Sequence, residues 1–332
     1  MSKIIILDPT IKSAVSFYRS VGPFSYLHKL DPHFSFEILD RFNDWTWIGK
    51  DILFLQRPYA PDHLQAMEEA RKSNLKIWVD TDDLLHDIPK YNPNYRVFNN
   101  PKQKYLDNNK QAIKEADVVT VSTEKLREYY SAYNDNVKVI ENAHNDYIFP
   151  FTKYIGDVHK TIGWRGSTTH RMDLLSVAEQ FVNLSKQNKD WRWVFMGNDL
   201  WYITELIAGS VQEVPERSFS VYFEMLRKIN FAVMVFPLID NDFNRAKSSN
   251  ALLEATYGGS VCIAPDLPEF NKPGCLCYKD PQKFAYYVEK CMQSKSFREE
   301  NYEKAYKYIN ENLLLSKINR KRLDVIKELA GE

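Results

Sequence analysis

The chain of 332 residues is too long for one ordinary core and suits two domains of roughly 150 residues each. Its 44% apolar and 14% aromatic content is that of a folded globular protein. Lys plus Arg equals Asp plus Glu at 44 each, which removes any global electrostatic case for nucleic acid or an anionic membrane as partner.

Met1-Ser2-Lys3 followed by Ile4–Leu7 is too short for a signal-peptide core and starts a strand instead. No run approaches the roughly 20 apolar residues of a membrane span. A reducing cytoplasm is therefore the expected location, with any membrane contact peripheral. In the first half, strands are expected at Ile4–Leu7, Ser35–Leu39, Ile52–Leu55, Lys76–Val79, Val118–Val121 and Val137–Ile140. Helical patterns fall between them at Pro61–Ser73, Lys102–Glu115 and Thr123–Ala132. Continuous β-branched runs separated by helices are what a parallel sheet covered on both faces requires.

The polar and aromatic stretch Asn142–Asp157 breaks the rhythm and reads as a linker. The pattern then restarts, with strands expected at Thr161–Trp164, Trp193–Met196, Val211–Val214, Phe231–Phe236 and Val261–Ala264. Helices fit at Arg171–Gln187, Phe219–Ile229, Lys247–Tyr257, Pro281–Cys291 and across the tail from Ser296 to Leu329. The expected division is residues 1–145 as a first, acceptor-side domain and 158–312 as a second, donor-binding domain. Residues 313–332 form a last helix returning to the first. Two doubly wound units facing each other leave a cleft outside the carboxyl ends of their strands, where ligands of such folds bind.

The four cysteines, Cys262, Cys275, Cys277 and Cys291, form no CxxC pair, and all seven histidines precede Met172, so no metal site is expected. The chemistry concentrates elsewhere. From Asn244 the chain reads Asn-Arg-Ala-Lys-Ser-Ser-Asn-Ala-Leu-Leu-Glu-Ala-Thr-Tyr-Gly-Gly, then Ser-Val-Cys-Ile-Ala-Pro265. On a helix starting near Lys247, the residues Lys247, Asn250 and Glu254 stack on one face. Gly258 and Gly259 end it where a positive φ is wanted. A helix beginning at a strand's carboxyl end offers free N–H groups to a phosphate, Lys247 adds a cation, and a carboxylate two turns on suits a vicinal diol. The same spacing also fits a plain solvated helix face.

This segment resembles the carboxyl-terminal motif of GT-B retaining glycosyltransferases of the "glycosyl transferases group 1" type. That motif has two Glu residues separated by seven others, the second within Leu-Glu-Ala. The resemblance implies that Glu254 binds the donor ribose. The first Glu of the motif falls on Ala246, so that carboxylate is missing, and Lys247 beside it is a phosphate or sugar contact. Thr161-Ile-Gly-Trp-Arg-Gly-Ser-Thr-Thr-His-Arg-Met-Asp resembles the family's first donor-domain strand and loop. There Gly166 and Ser167 admit the diphosphate, and Arg171 or Arg165 is the cation. Val194-Phe-Met-Gly197 resembles the next strand and its glycine turn, and the stretch from Glu213 to Phe236 resembles the lining of the base pocket.

In the first half, Trp78-Val-Asp80-Thr-Asp82-Asp83 ends a strand in clustered acids. These acids fit the metal-binding Asp-x-Asp of the other glycosyltransferase fold, or helix capping by Asp82 or Asp83. In the GT-B frame, Asp80, Asp82 or Asp83 orients the acceptor hydroxyl or stabilises charge growing on the sugar. His86 stands near the place of a family histidine. Ser13–Arg19 with Gly22-Pro23 resembles the loop and helix that close over the donor sugar, which points Arg19 at acceptor or phosphate, with Arg57 similar at another strand end. The basic run from Lys317 to Arg322 reads as a solvated helix face, or as a surface contact for a membrane or nucleic acid.

The implied activity is transfer from a nucleoside diphosphate sugar, UDP- or GDP-linked, to a hydroxyl, with retention and no required cofactor. Acceptors include a glycan, a lipid-linked glycan, a protein or a modified DNA base. DNA is disfavoured, because residues 1–150 carry 19 basic and 21 acidic side chains. A GT-B nucleotide-sugar epimerase and a non-catalytic nucleotide-sugar-binding subunit are the alternatives.

Overall fold

The computed structural model describes residues 2–8, 13–40, 47–154 and 160–331. The first six strands are β1 (Ser2–Leu7), β2 (Phe34–Leu39), β3 (Ile52–Gln56), β4 (Lys76–Thr81), β5 (Val118–Val121) and β6 (Val137–Val139). They form one parallel sheet in the order β2-β1-β3-β4-β5-β6. The second sheet contains β7 (Thr161–Arg165), β8 (Arg192–Met196), β9 (Ser210–Val214), β10 (Val233–Val235), β11 (Val261–Pro265) and β12 (Cys275–Tyr278). Its order is β12-β11-β10-β7-β8-β9, again parallel throughout.

Burial explains why these segments are strands. Every residue of β3, β5 and β11 is buried, as apolar runs covered on both faces must be, whereas the edge strand β9 leaves most of its residues in solvent. In each sheet the chain builds outward from one pair of neighbours in both directions. Those pairs are β1 and β3 in the first sheet, β7 and β10 in the second. The loops leaving their carboxyl ends part there and open a crevice.

Several elements differ from the sequence expectation, among them the helix expected over Arg171–Gln187, which is two helices, Arg171–Leu175 and Ala178–Gln187. Strand β12 was not anticipated; it is a half-buried edge strand with no β-branched residue. The helix expected from Lys247 begins at Asn250, and a separate short helix, Asp242–Arg245, precedes it with Asn241 as cap. Ser248 and Ser249 interrupt the two, because short hydroxyl side chains favour caps and turns over helix interiors. The tail is also two helices, Lys295–Asn312 and Leu315–Ala330. They part at Leu313-Leu314, where His144 N–H donates to the Leu313 carbonyl at 2.9 Å and Leu315 N–H donates to the His144 carbonyl at 2.8 Å.

That exchange joins two segments of chain between the halves. Of the linker stretch, residues 155–157 lie outside the described residues, as does position 158, where the second domain was expected to begin. The last helix packs on the first half: Asn319 Nδ2 donates to the Pro23 carbonyl at 2.9 Å, and Lys321 is 2.7 Å from both Glu141 oxygens. One apolar core cluster runs through both halves, with Phe17 stacked on Phe219 and Phe149 on Phe223, each at 4.5 Å between centroids. Among the described residues no helix is long and apolar enough to cross a membrane.

Candidate active site

Arg165 is the last residue of β7 and Gly166 opens the loop after it, while Gly197 opens the loop after β8. Gly166 N–H donates to the Met196 carbonyl at 3.0 Å, and Gly197 N–H to the Val214 carbonyl at 2.9 Å. Gly197 has φ of +152°, and a Cβ there would overlap the Gly166 carbonyl oxygen. A Cβ on Gly166 would in turn meet the Trp164 ring at 2.6 Å. Backbone runs against backbone here, which only glycine permits. Ser167 is exposed in the turn that follows.

Glu254, on the helix Asn250–Tyr257, is 3% exposed and fully engaged. Oε1 accepts from the Tyr18 hydroxyl at 2.8 Å, across the cleft. Oε2 accepts from Arg165 Nε at 2.5 Å and from the Tyr222 hydroxyl at 2.6 Å. Burial, with the Glu254 charge added to it, raises both phenols well above the ordinary tyrosine range, so each is a donor at any working pH. Asn250, one turn earlier, accepts from Asn142 Nδ2 of the first half at 3.0 Å.

Lys247 lies in the loop outside the helix, so the one-face stripe of three is reduced to Asn250 and Glu254. Its ammonium reaches Asp83 Oδ1 at 3.5 Å, a further contact across the cleft. Asp83 Oδ2 also accepts from Arg57 Nη2 at 2.7 Å, and Asp82 Oδ1 from Arg57 Nε at 2.6 Å. The neighbouring carboxyls titrate in opposite directions. Burial raises Asp82, with Asp83 adding to it against Arg57; on Asp83 burial also pushes upward, but Lys247 and Arg57 outweigh it and the net shift is down. Two adjacent acids held apart in this way are suited to different roles.

Arg19 and Asp80 differ from expectation. Arg19 has no exposed surface and faces inward: Nε and Nη2 contact Asp80 at 3.0 and 2.6 Å, Nη1 the Ile140 carbonyl and Asn142 Oδ1. Asp80 is 2% exposed and also accepts from the Thr120 hydroxyl at 2.6 Å. The pair is a buried clamp tying helix Ala14–Arg19 to β4, because a buried arginine requires a carboxylate partner. Asp82 and Asp83 cap no helix; their side chains meet Arg57 and Lys247 instead. His86 bonds Asn109 Oδ1 at 3.0 Å. Arg171 is exposed and lies over the Tyr202 ring at 4.7 Å and Trp201 at 5.4 Å.

Sequence reasoning missed Tyr18, Tyr222, His170 and Asp173. His170 Nδ1 is 3.0 Å from Asp173 Oδ2, while Asp173 Oδ1 accepts from Ile239 N–H and Asn244 Nδ2, at 2.9 and 3.0 Å. Asp173 thereby fixes the loop after β10 against the one after β7. Burial lowers the His170 pKa, and the cations Lys247 and Arg165 push the same way, so its neutral form is favoured. The i, i+3 spacing of His170 and Asp173 was legible; the long-range partners of Tyr18 and Tyr222 were not. Among the described residues, no His, Cys, Asp and Glu side chains assemble a metal-ligand set.

No protein-family profile matches the chain, and no curated protein sequence does. Solved structures do match. A glycosyltransferase from Rickettsia africae aligns with a TM-score of 0.69 at 14% identity, covering 99% of this chain and 98% of that one. HepE from Anabaena, solved with UDP and glucose, aligns at 0.68 and 12%, covering 99% and 100%. The lipopolysaccharide outer core galactosyltransferase WaaB aligns at 0.64 and 13%, covering 98% and 99%. Together with the two parallel sheets these likenesses define the class of fold: the chain has the GT-B architecture, two Rossmann-like units facing across a cleft.

Proposed function

We propose that this protein is a glycosyltransferase that moves a sugar from a UDP-sugar to a hydroxyl acceptor, with retention of anomeric configuration. The observation that carries the reading is the pair of facing strand-end crevices. One presents Arg165, Lys247 and Glu254, the other Arg57, Asp82 and Asp83, and Lys247–Asp83 and Tyr18–Glu254 join them. UDP is favoured over GDP by the likeness to HepE, whose structure holds UDP. Retention rests on the Leu253-Glu254-Ala255 likeness.

In this reading the diphosphate lies along Gly166, Ser167 and Gly197, where glycine lets oxygen approach backbone. Lys247 and Arg165 neutralise the charge that grows on it as the glycosidic bond breaks. Arg171, exposed beside the same loop, is a further cation for the nucleotide. Asn250 faces the donor sugar, and Glu254 accepts from the ribose diol. Both Glu254 oxygens are taken in the closed cleft, so the donor enters as the halves part and Tyr18 leaves Oε1 free. Asp83, held ionised by Lys247 and Arg57, stabilises positive charge on the ring; Asp82 orients the acceptor hydroxyl. Arg57 holds both acids. Four unbridged cysteines suit a reducing cytoplasm.

A thermal-shift panel of nucleotide sugars on the wild type and on Glu254→Ala tests this. A UDP-sugar should raise Tm in the wild type and do so less in the variant. No shift with any nucleotide sugar contradicts the proposal.

A further inference from the structure

A cavity of about 400 Å³ lies between the two halves, apart from the crevices at β1/β3 and β7/β10. Its walls come from the ends of β5 and β6, the loop ahead of helix Asn250–Tyr257, the turn after β11 and the junction of the two tail helices. That volume is within the range of small-ligand sites.

The charges of the wall decide what fits. Three carboxylates, Glu141, Glu269 and Glu311, face three ammoniums, Lys272, Lys317 and Lys321. Lys321 is spent on both Glu141 oxygens at 2.7 Å, and Lys272 lies 3.6 Å from Glu269. Lys317 donates to the carbonyls of Asn310 and Glu311 at 2.8 and 3.0 Å. Two of the three ammoniums are thus paired with carboxylates, and the balance of sign over the wall gives a phosphate or a nucleotide no advantage. The neutral polar groups of the wall are Ser249 together with Asn142, Ser248 and Asn312, which already hold bonds (Asn312 Nδ2 donates to the Tyr308 carbonyl at 2.8 Å) but keep spare acceptor lone pairs, beside the half-buried ring of Tyr308. A ligand with many hydroxyls and no charge satisfies amides and hydroxyls in both directions and lays its C–H face on an aromatic ring.

The wall also touches the donor side. Asn142 Nδ2 donates to Ser248 Oγ at 2.9 Å and Asn250 Oδ1 at 3.0 Å, while its Oδ1 accepts from Arg19 at 3.0 Å. Ser248 follows Lys247 directly. The cavity is therefore one bonded layer away from the Lys247–Asp83 contact.

We infer that the acceptor is a neutral saccharide and that this cavity holds one of its sugar units, remote from the hydroxyl that receives the new sugar. The inference rests on the glycosyltransferase reading and adds the acceptor's class to it.

The test is saturation-transfer NMR with maltose, lactose, cellobiose and diacetylchitobiose on the UDP-saturated protein, in the wild type and in Asn312→Trp and Tyr308→Ala. Asn312 is exposed at the rim, so Trp there fills the space without disturbing the core. At least one disaccharide should bind saturably. Asn312→Trp should weaken it tenfold or more while UDP affinity changes less than twofold, and Tyr308→Ala should weaken it in the same sense. Should Asn312→Trp lower Tm, Lys317→Trp at the same rim replaces it. Disaccharide binding that is indifferent to these substitutions, or no disaccharide binding to a protein that does bind UDP, overturns the inference. Failure of the wild type to bind UDP at all strikes the glycosyltransferase reading instead.

Discussion

The Tyr18 hydroxyl donates to Glu254 Oε1 at 2.8 Å, joining the first helix of one half to the signature helix of the other across 236 positions of sequence. Arg165 and Tyr222, which hold Oε2, both belong to the half that carries Glu254. Tyr18 is the cross-cleft ligand of this carboxylate, so it is the contact that opening breaks.

If a ribose hydroxyl takes that place, removing the Tyr18 hydroxyl removes a competitor. Tyr18→Phe should then bind UDP more tightly by about tenfold or more, since a hydrogen bond to a charged group is worth about 1.5–3 kcal/mol and a tenfold change is about 1.4. Calorimetric titration of UDP checks this. Weaker binding in Tyr18→Phe would make the tyrosine a donor ligand rather than a latch.

Lys247 and Asp83 should be coupled. Their separation of 3.5 Å, with side chains 17% and 22% exposed, is a partly screened ion pair. Lys247→Ala should weaken UDP by tenfold or more, because the proposed function places the diphosphate on that cation. Asp83→Asn frees Lys247 and should leave UDP binding equal or tighter while turnover falls. A double-mutant cycle on UDP affinity measures the coupling directly.

His144 predicts a pH dependence of stability. It is fully buried, its Nε2 lies 2.6 Å from the Phe149 carbonyl and so carries the proton, and burial lowers its pKa to about 4. A histidine whose folded pKa falls below the unfolded value of about 6.5 contributes stability that is complete above pH 6.5. That stability is lost as pH falls toward 4, with a slope of up to about 1.4 kcal/mol per pH unit. His144→Phe, placed among Phe151, Phe223 and Tyr257, should lose this slope in urea titrations run between pH 7 and 4.5.

Gly197 is a backbone prediction. Gly197→Ala places a methyl on the Gly166 carbonyl in a conformation that L-residues avoid, and should cost about 2 kcal/mol in stability. It should also weaken UDP, whereas Gly49→Ala, with nothing near its Cβ, should leave UDP binding unchanged.

Much of the fold was legible because a buried parallel strand writes itself as a continuous apolar run. Ile52–Leu55 is four apolar residues in a row, and Val118–Val121 is four buried β-branched residues. The pattern fails at the sheet edge: Cys275–Tyr278 is only half covered and has no β-branched residue. It also fails where local chemistry competes, as at Ser248-Ser249 ahead of Asn250. At the site, residue types and strand-end positions could be read, since Asp80, Asp82, Asp83, Arg165 and Glu254 all follow or flank apolar runs. Their partners could not. Nothing within Asp80-Thr81-Asp82-Asp83 tells the acid that Arg19 seals inside from the two that Arg57 holds at the cleft, because that division is set by residues 61 and 25 positions away.

The central claim is that a nucleoside diphosphate sits with its phosphates on Lys247 and its ribose on Glu254. It is tested most directly by the affinities of UDP, UMP, uridine and dideoxyuridine for the wild type, Lys247→Ala and Glu254→Gln. The account predicts that the advantage of UDP over UMP shrinks at least tenfold in Lys247→Ala only. The advantage of uridine over dideoxyuridine should vanish in Glu254→Gln only. Equal losses for all four ligands in both variants, or no binding of UDP to the wild type, would contradict it.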